Sequence, residues 1–100
     1  MAAEFVLDPD AERDVLEAYS WYERSSAEAG EDFLRRVDAC LEAIRRSPKM
    51  HRLVFGENVR RALIRKYPYA IYYSYDGTVV NVFCIVHNSR DPSHWKSRLP

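Results

Sequence analysis

The chain has 100 residues, 47% of them apolar and 30% charged, with equal numbers of acidic and basic side chains. That length suffices for one hydrophobic core and not for two, so a single domain over residues 1–100 is expected. No stretch approaches the roughly 20 consecutive apolar residues of a membrane span. Six acids among the first twenty residues (Glu4, Asp8, Asp10, Glu12, Asp14 and Glu17) argue against a secretory or transit leader, so a soluble, cytoplasmic protein is expected.

The neutral total conceals a division. Through Ser47 there are twelve acids and six bases, a net −6; from Pro48 onward nine bases face three acids, a net +6. The two halves attract each other, and a surface built from the second half alone is cationic, suited to an acidic protein or a nucleic acid. The two cysteines, Cys40 and Cys84, read as free buried thiols in a reducing compartment.

In chain order, Phe5-Val6-Leu7 is a short apolar run stopped by Asp8-Pro9, which predicts an edge strand and then a helix with aspartate at its N-cap and proline at its first position. The helix runs from Pro9 to about Arg24, with Ala11, Val15, Ala18 or Tyr19, and Tyr22 at helical spacing and Trp21 on the flank. Ser25-x-x-Glu28 predicts a capping box for a second helix. Its stripe is Phe33, Val37, Cys40 or Leu41, and Ile44; Arg45-Arg46 complements its dipole and Pro48 forbids continuation. Gly30 inside this helix weakens it slightly.

The period then changes. Arg52 to Phe55 begins a strand, Gly56-Glu57-Asn58 is a turn, and Val59 to about Arg65 alternates as a further strand. Asp76-Gly77 between β-rich runs predicts a two-residue type I′ hairpin, with Tyr75 facing Thr78, Tyr73 facing Val80, Ile71 facing Val82, Tyr69 facing Cys84 and Tyr67 facing Val86. That register puts Tyr69, Ile71, Tyr73, Val80, Val82, Cys84 and Val86 against the helices. Ala70, Tyr72, Ser74, Asn81, Phe83, Ile85 and His87 then form an open, mixed face of the kind that often binds a partner.

Among candidate residues, His87 falls on this open face, opposite Lys66. It reads either as a proton-transfer or phosphate-contact group or as a structural residue bonding the following turn through Arg90 or Asp91. Arg60 and Arg61 leave opposite faces of their strand, with Arg65 beside Arg61; guanidinium groups there suit phosphate or carboxylate, or else pair with the acidic helices. Asp91-Pro92 caps a last helical turn in which Trp95 anchors the tail to the sheet edge and Arg90, Lys96 and Arg98 form a basic rim. No metal or cofactor is expected: Cys84 and His87 leave opposite faces of a strand, His51 and His94 stand in no ligand spacing, and there is no glycine-rich phosphate loop.

The run Tyr67-Pro68-Tyr69-Ala70-Ile71-Tyr72-Tyr73 followed by His87-Asn88-Ser89-Arg90-Asp91-Pro92, Trp95 and Arg98 resembles the RelE/ParE superfamily of bacterial toxins, in which a "PY-x-I-x-Y" strand pairs with one ending in "H-x-x-R-D-P-x-x-W-x-x-R". The resemblance spans nearly the whole chain. It implies an α+β fold: an N-terminal strand, a helical hairpin on one face of a small, mostly antiparallel sheet (β-α-α-β-β-β), and a short C-terminal helical turn.

The ending is closer to the ParE-like branch, which implies a toxin of a plasmid-stabilising type II module that binds DNA gyrase, without catalytic residues or cofactors. Its partner-binding candidates are Arg61, Arg65, Tyr72, Phe83, His87, Arg90, Trp95 and Arg98. The alternative RelE-like reading is a metal-independent endonuclease acting on ribosome-bound mRNA through Arg61, Arg65, Lys66, His87 and Arg90; a third is a degenerate scaffold that only binds antitoxin. All three imply a cognate antitoxin, expected to lay an acidic or amphipathic segment between the hairpin and the sheet or along an open strand edge.

Overall fold

The computed structural model describes residues 2–100. Strand β1 (Glu4–Leu7) leads into helices α1 (Pro9–Ser25) and α2 (Ala27–Arg46). Strands β2 (Arg52–Phe55), β3 (Val59–Leu63), β4 (Tyr69–Tyr75) and β5 (Val79–His87) follow, and the helical turn α3 (Ser93–Lys96) comes last. The sheet order is β1-β5-β4-β3-β2, with β1 parallel to β5 and every other pair antiparallel. This is the α+β arrangement expected, with Arg52–Phe55 as its outermost strand.

The helix starts follow from the residues that open them. The Asp8 carboxylate accepts the Asp10 N–H at 2.9 Å, and Pro9 occupies a position whose missing donor costs nothing. The second cap falls one residue later than expected, on Ser26, because Ser25 is still helical. Ser26 serves both helices: its N–H donates to Tyr22 O, and its Oγ accepts the Ala29 N–H at 2.9 Å. Gly30 does more than weaken α2, since a Cβ there would sit 3.0 Å from Glu23 Cβ and 3.2 Å from Glu23 Cα; it lets α1 and α2 approach.

The helices pack on the front of the sheet. Ala11 and Ala18 of α1 and Phe33, Val37 and Ile44 of α2 meet Ile71, Tyr73, Val80, Val82 and Ile85 in one cluster. Burying each large side chain of this set contributes about 1.5–3 kcal/mol before the cost of ordering it. Tyr22 and Phe33 stack with centroids 5.1 Å apart, and the edges of Tyr67 and Tyr69 close on both rings.

The β4–β5 hairpin departs from the expected register twice. Tyr75 pairs with Val80 and not with Thr78, because the Asp76 carboxylate takes the N–H groups of both Thr78 and Val79 at 2.8 Å and so widens the turn to four residues. Gly77, at φ 99°, supplies the left-handed position. This shift of two leaves the faces unchanged, and Tyr73 opposes Val82.

A β-bulge then places Phe83 between the pairs Tyr73–Val82 and Tyr72–Cys84. One extra residue inverts everything beyond it. Cys84 and Val86, expected on the helices, lie on the reverse face, whereas Ile85 joins the front core and His87 pairs with Tyr69 rather than standing opposite Lys66.

The reverse face is not open at its centre, which corrects the expectation of an uncovered cationic side. Val59, Ala70, Tyr72, Phe83, Cys84 and Val86 form a second buried cluster under Trp95 and Leu99. The Trp95 ring stacks on Tyr72 at 4.6 Å and 15°. Both cysteines are free, and burial pushes each thiol up to about 11, so they are protonated and inert at neutral pH.

Candidate functional site

The residues singled out from sequence fall into four places. Tyr72, Phe83 and Trp95 are the core of the reverse face, with relative exposures of 7%, 2% and 7%. Arg61 lies on that same face at its edge, opposite Tyr72 on one side and Arg52 on the other. Like charges directly opposite on an antiparallel pair repel, so Arg52 and Arg61 form an uncompensated cationic step. Arg60 points to the front instead, as alternation requires, and donates to the carbonyls of Lys49 and His51.

β3 ends at Leu63, so Arg65 lies in the following bend and not on the strand. It borders a groove of about 380 Å³ between α2 and the β3 edge, with Arg36 across from it and Ala39, Cys40, Ala43 and Leu63 along the floor. His51 closes one end; burial, and then the charge of Arg60, depress its pKa and keep its ring neutral.

Lys66 is bound elsewhere. At φ 76° it turns its Nζ to Asp32 of α2 at 2.8 Å, and Tyr67 Oη donates to the same carboxylate at 2.7 Å. These hydrogen bonds, that of Lys66 first, hold Asp32 well below the usual carboxylate range. Lys66 thus ties the basic half of the chain to the acidic half.

His87, Arg90 and Arg98 come together on the opposite edge. β1 ends at Leu7, opposite Val82, so among the described residues the outer edge of β5 has no neighbouring strand beyond that point. Two side chains substitute for one: Asp14 of α1 accepts the Ile85 N–H at 3.0 Å, and Arg98 forks onto Asp14 while reaching Phe83 O at 3.5 Å. The bond to Asp14 raises the Arg98 pKa further, so the guanidinium keeps its charge at any physiological pH.

Above this clasp lies a trough of about 420 Å³. α1 forms one wall with Arg13, Glu17 and Trp21, and the tail forms the other with Arg90 and His94. Burial, followed by the charges of Arg90 and Arg98, depresses the His94 pKa. His87 lies along the floor with Tyr69, ring centroids 5.2 Å apart. Its Nδ1 accepts the Ser89 N–H at 3.1 Å, so in the neutral ring the proton sits on Nε2. The turn-bonding reading of His87 is thereby observed, with Ser89 as its partner in place of Arg90 or Asp91.

Sequence reasoning left Arg13, Trp21, Arg36 and His94 out of the candidate set. Arg13, Glu17 and Trp21 recur every four residues along one flank of α1, which was the available signal. Among the described residues no group of three or more His, Cys, Asp or Glu side chains is placed to hold a metal ion, and no helix is long and apolar enough to cross a membrane.

Comparison with known proteins bears on this arrangement. A family model described as "ParE toxin of type II toxin-antitoxin system, parDE" matches residues 5–92. The chain belongs to the ParE toxin family. It is therefore a ParE-type toxin of a type II toxin–antitoxin system, within the RelE/ParE superfamily that the hairpin motifs resemble. The match begins inside β1 and ends at Pro92, so Trp95 and Arg98 lie past it.

The fold of this ParE-type chain is shared with a solved chain described as "Chromosomal ParDE TA system from P. aeruginosa". The two agree with a TM-score of 0.75 at 12% sequence identity, over 86% of this chain and 96% of that one. No curated protein matches the sequence.

Proposed function

We propose that this ParE-type toxin arrests growth by binding DNA gyrase in the cytoplasm, and that it stabilises a plasmid or other replicon through the antitoxin that neutralises it. The observation that carries this reading is the dispersal of the residues a nuclease would need. Metal-free RNA cleavage requires a base, an acid and cations around one phosphate. Lys66 is held by Asp32 of α2, Arg65 borders the groove beside Arg36, Arg61 faces the reverse side, and His87 and Arg90 lie in the trough at the far edge. Five groups spread over three sides of the molecule favour binding over hydrolysis. The antitoxin is neutralising in this reading because it covers grooves between the helical hairpin and the sheet, where Arg36 and Arg65 attract an acidic segment over an apolar floor.

The test uses purified chain in two assays. Gyrase supercoiling of relaxed plasmid should stop at near-stoichiometric toxin, while ribosome-bound message read by primer extension stays intact. Cleaved message with unimpaired supercoiling would replace this reading by the RelE-like one.

A further inference from the structure

Among the described residues no strand lies beside the edge of β5 above the Asp14–Arg98 clasp, and two of the backbone groups turned outward there are unpaired. Ile64 N–H donates to Tyr69 O, so Tyr69 directs its polar backbone toward β3. In an antiparallel pair the residue facing it then turns its own backbone the other way, and His87, opposite Tyr69, sends its N–H out into the trough. Ile85 is outward as well, since its N–H reaches Asp14. The Ile85 N–H is thus taken, and the His87 carbonyl accepts the Arg90 N–H at 3.0 Å. What remains is the Ile85 carbonyl and the His87 N–H, flanking Val86.

That remainder has a direction. A residue of a parallel strand bonds the carbonyl before and the N–H after the residue it faces, whereas an antiparallel neighbour uses both groups of a single residue. The edge therefore offers one rung of parallel ladder, in the orientation that β1 already has on β5. Strand alternation assigns the side chains. The incoming residue opposite Val86 projects toward the tail wall, where Arg90 and His94 stand, and its neighbours project toward Trp21 on α1, which is 63% exposed. Arg13 adds a further cation, and Glu17 is the carboxylate on that wall not held by Arg98. The tail side rejects a basic residue and accepts an acidic one.

We propose that this trough docks an extended segment of the antitoxin, which adds to β5 in parallel opposite Val86, sets an acidic side chain against Arg90 and lays an apolar neighbour on Trp21. The proposal rests on the toxin reading above and extends it by giving the segment's site, direction and side-chain order.

The experiment co-expresses the full chain with the product of the reading frame adjacent to its gene. Amide hydrogen exchange of the purified complex is compared with that of the free chain, and affinities are measured for Arg90→Glu and for Arg46→Glu, an exposed residue at the end of α2 that carries the same charge change. The His87 amide should exchange at least about tenfold more slowly in the complex, and Arg90→Glu should weaken binding about tenfold or more, with Arg46→Glu near wild type. A complex that forms with the His87 amide unprotected, or with the two variants equal, overturns the trough and leaves the toxin reading standing. Failure of any complex to form defeats both. Protection of His87 by a single-stranded oligonucleotide in place of the protein would also overturn it.

Discussion

The two faces of the sheet are closed by very different amounts of chain. The front carries helices of 17 and 20 residues, whose apolar stripes share the load among many side chains. The back is closed by a four-residue helical turn and the residues just after it: Trp95 of the turn covers Tyr72, and Arg98 beyond it reaches round to Asp14. A cover made of many small contributions tolerates the loss of one; a cover made of one ring and one ion pair does not. The back should therefore be the more sensitive face residue for residue, although it is the smaller.

Trp95→Ala tests this most severely. Removing the ring uncovers Tyr72 and Phe83 and should cost about 3 kcal/mol, read from the midpoint of urea unfolding. A cost below about 1 kcal/mol would show that the tail merely rests on the sheet. Arg98→Met should come next, at about 2 kcal/mol, since it leaves the Asp14 carboxylate nearly buried with only the Ile85 N–H to satisfy it. The double variant Asp14→Asn with Arg98→Met should recover part of that loss, and additive effects would mean the two residues act separately.

The smallest effect is expected at the front-side clamp. Lys66 and Tyr67 hold the Asp32 pKa below that of the unfolded chain, so the folded form gives up this proton more readily. Its contribution is complete above about pH 4, the ordinary carboxylate value, and fades as the pH falls toward the folded pKa. Asp32→Asn should therefore lower the urea midpoint at pH 7 and make progressively less difference below pH 4. A gap between the two proteins that widens on acidification would reverse this assignment.

The helical hairpin was legible because its signals are local: Asp8-Pro9 at the first start, a serine before the second, and apolar residues at helical period throughout. The hairpin turn was legible in position but not in length, since no rule of spacing reveals that Asp76 captures two amides. The bulge was illegible for a definite reason. Val82-Phe83-Cys84-Ile85-Val86 is apolar without interruption, so alternation reads equally well in either phase and nothing in the residues marks where the phase changes. That error moved His87 to the wrong side. The candidate site suffered similarly, because the trough joins Asp14 to Arg98 across 84 positions and depends on where β1 stops.

The junction at Ser26 carries a consequence for how this hairpin can change over time. One residue terminates the first helix by donating its backbone N–H and initiates the second by accepting at its side-chain hydroxyl oxygen, so the connection has no slack. Replacement by threonine, aspartate or asparagine keeps both duties, whereas lengthening the loop by a residue would separate them and release the close crossing at Gly30. Natural variation at this corner should accordingly be found in the identity of the residue and hardly ever in the number of residues.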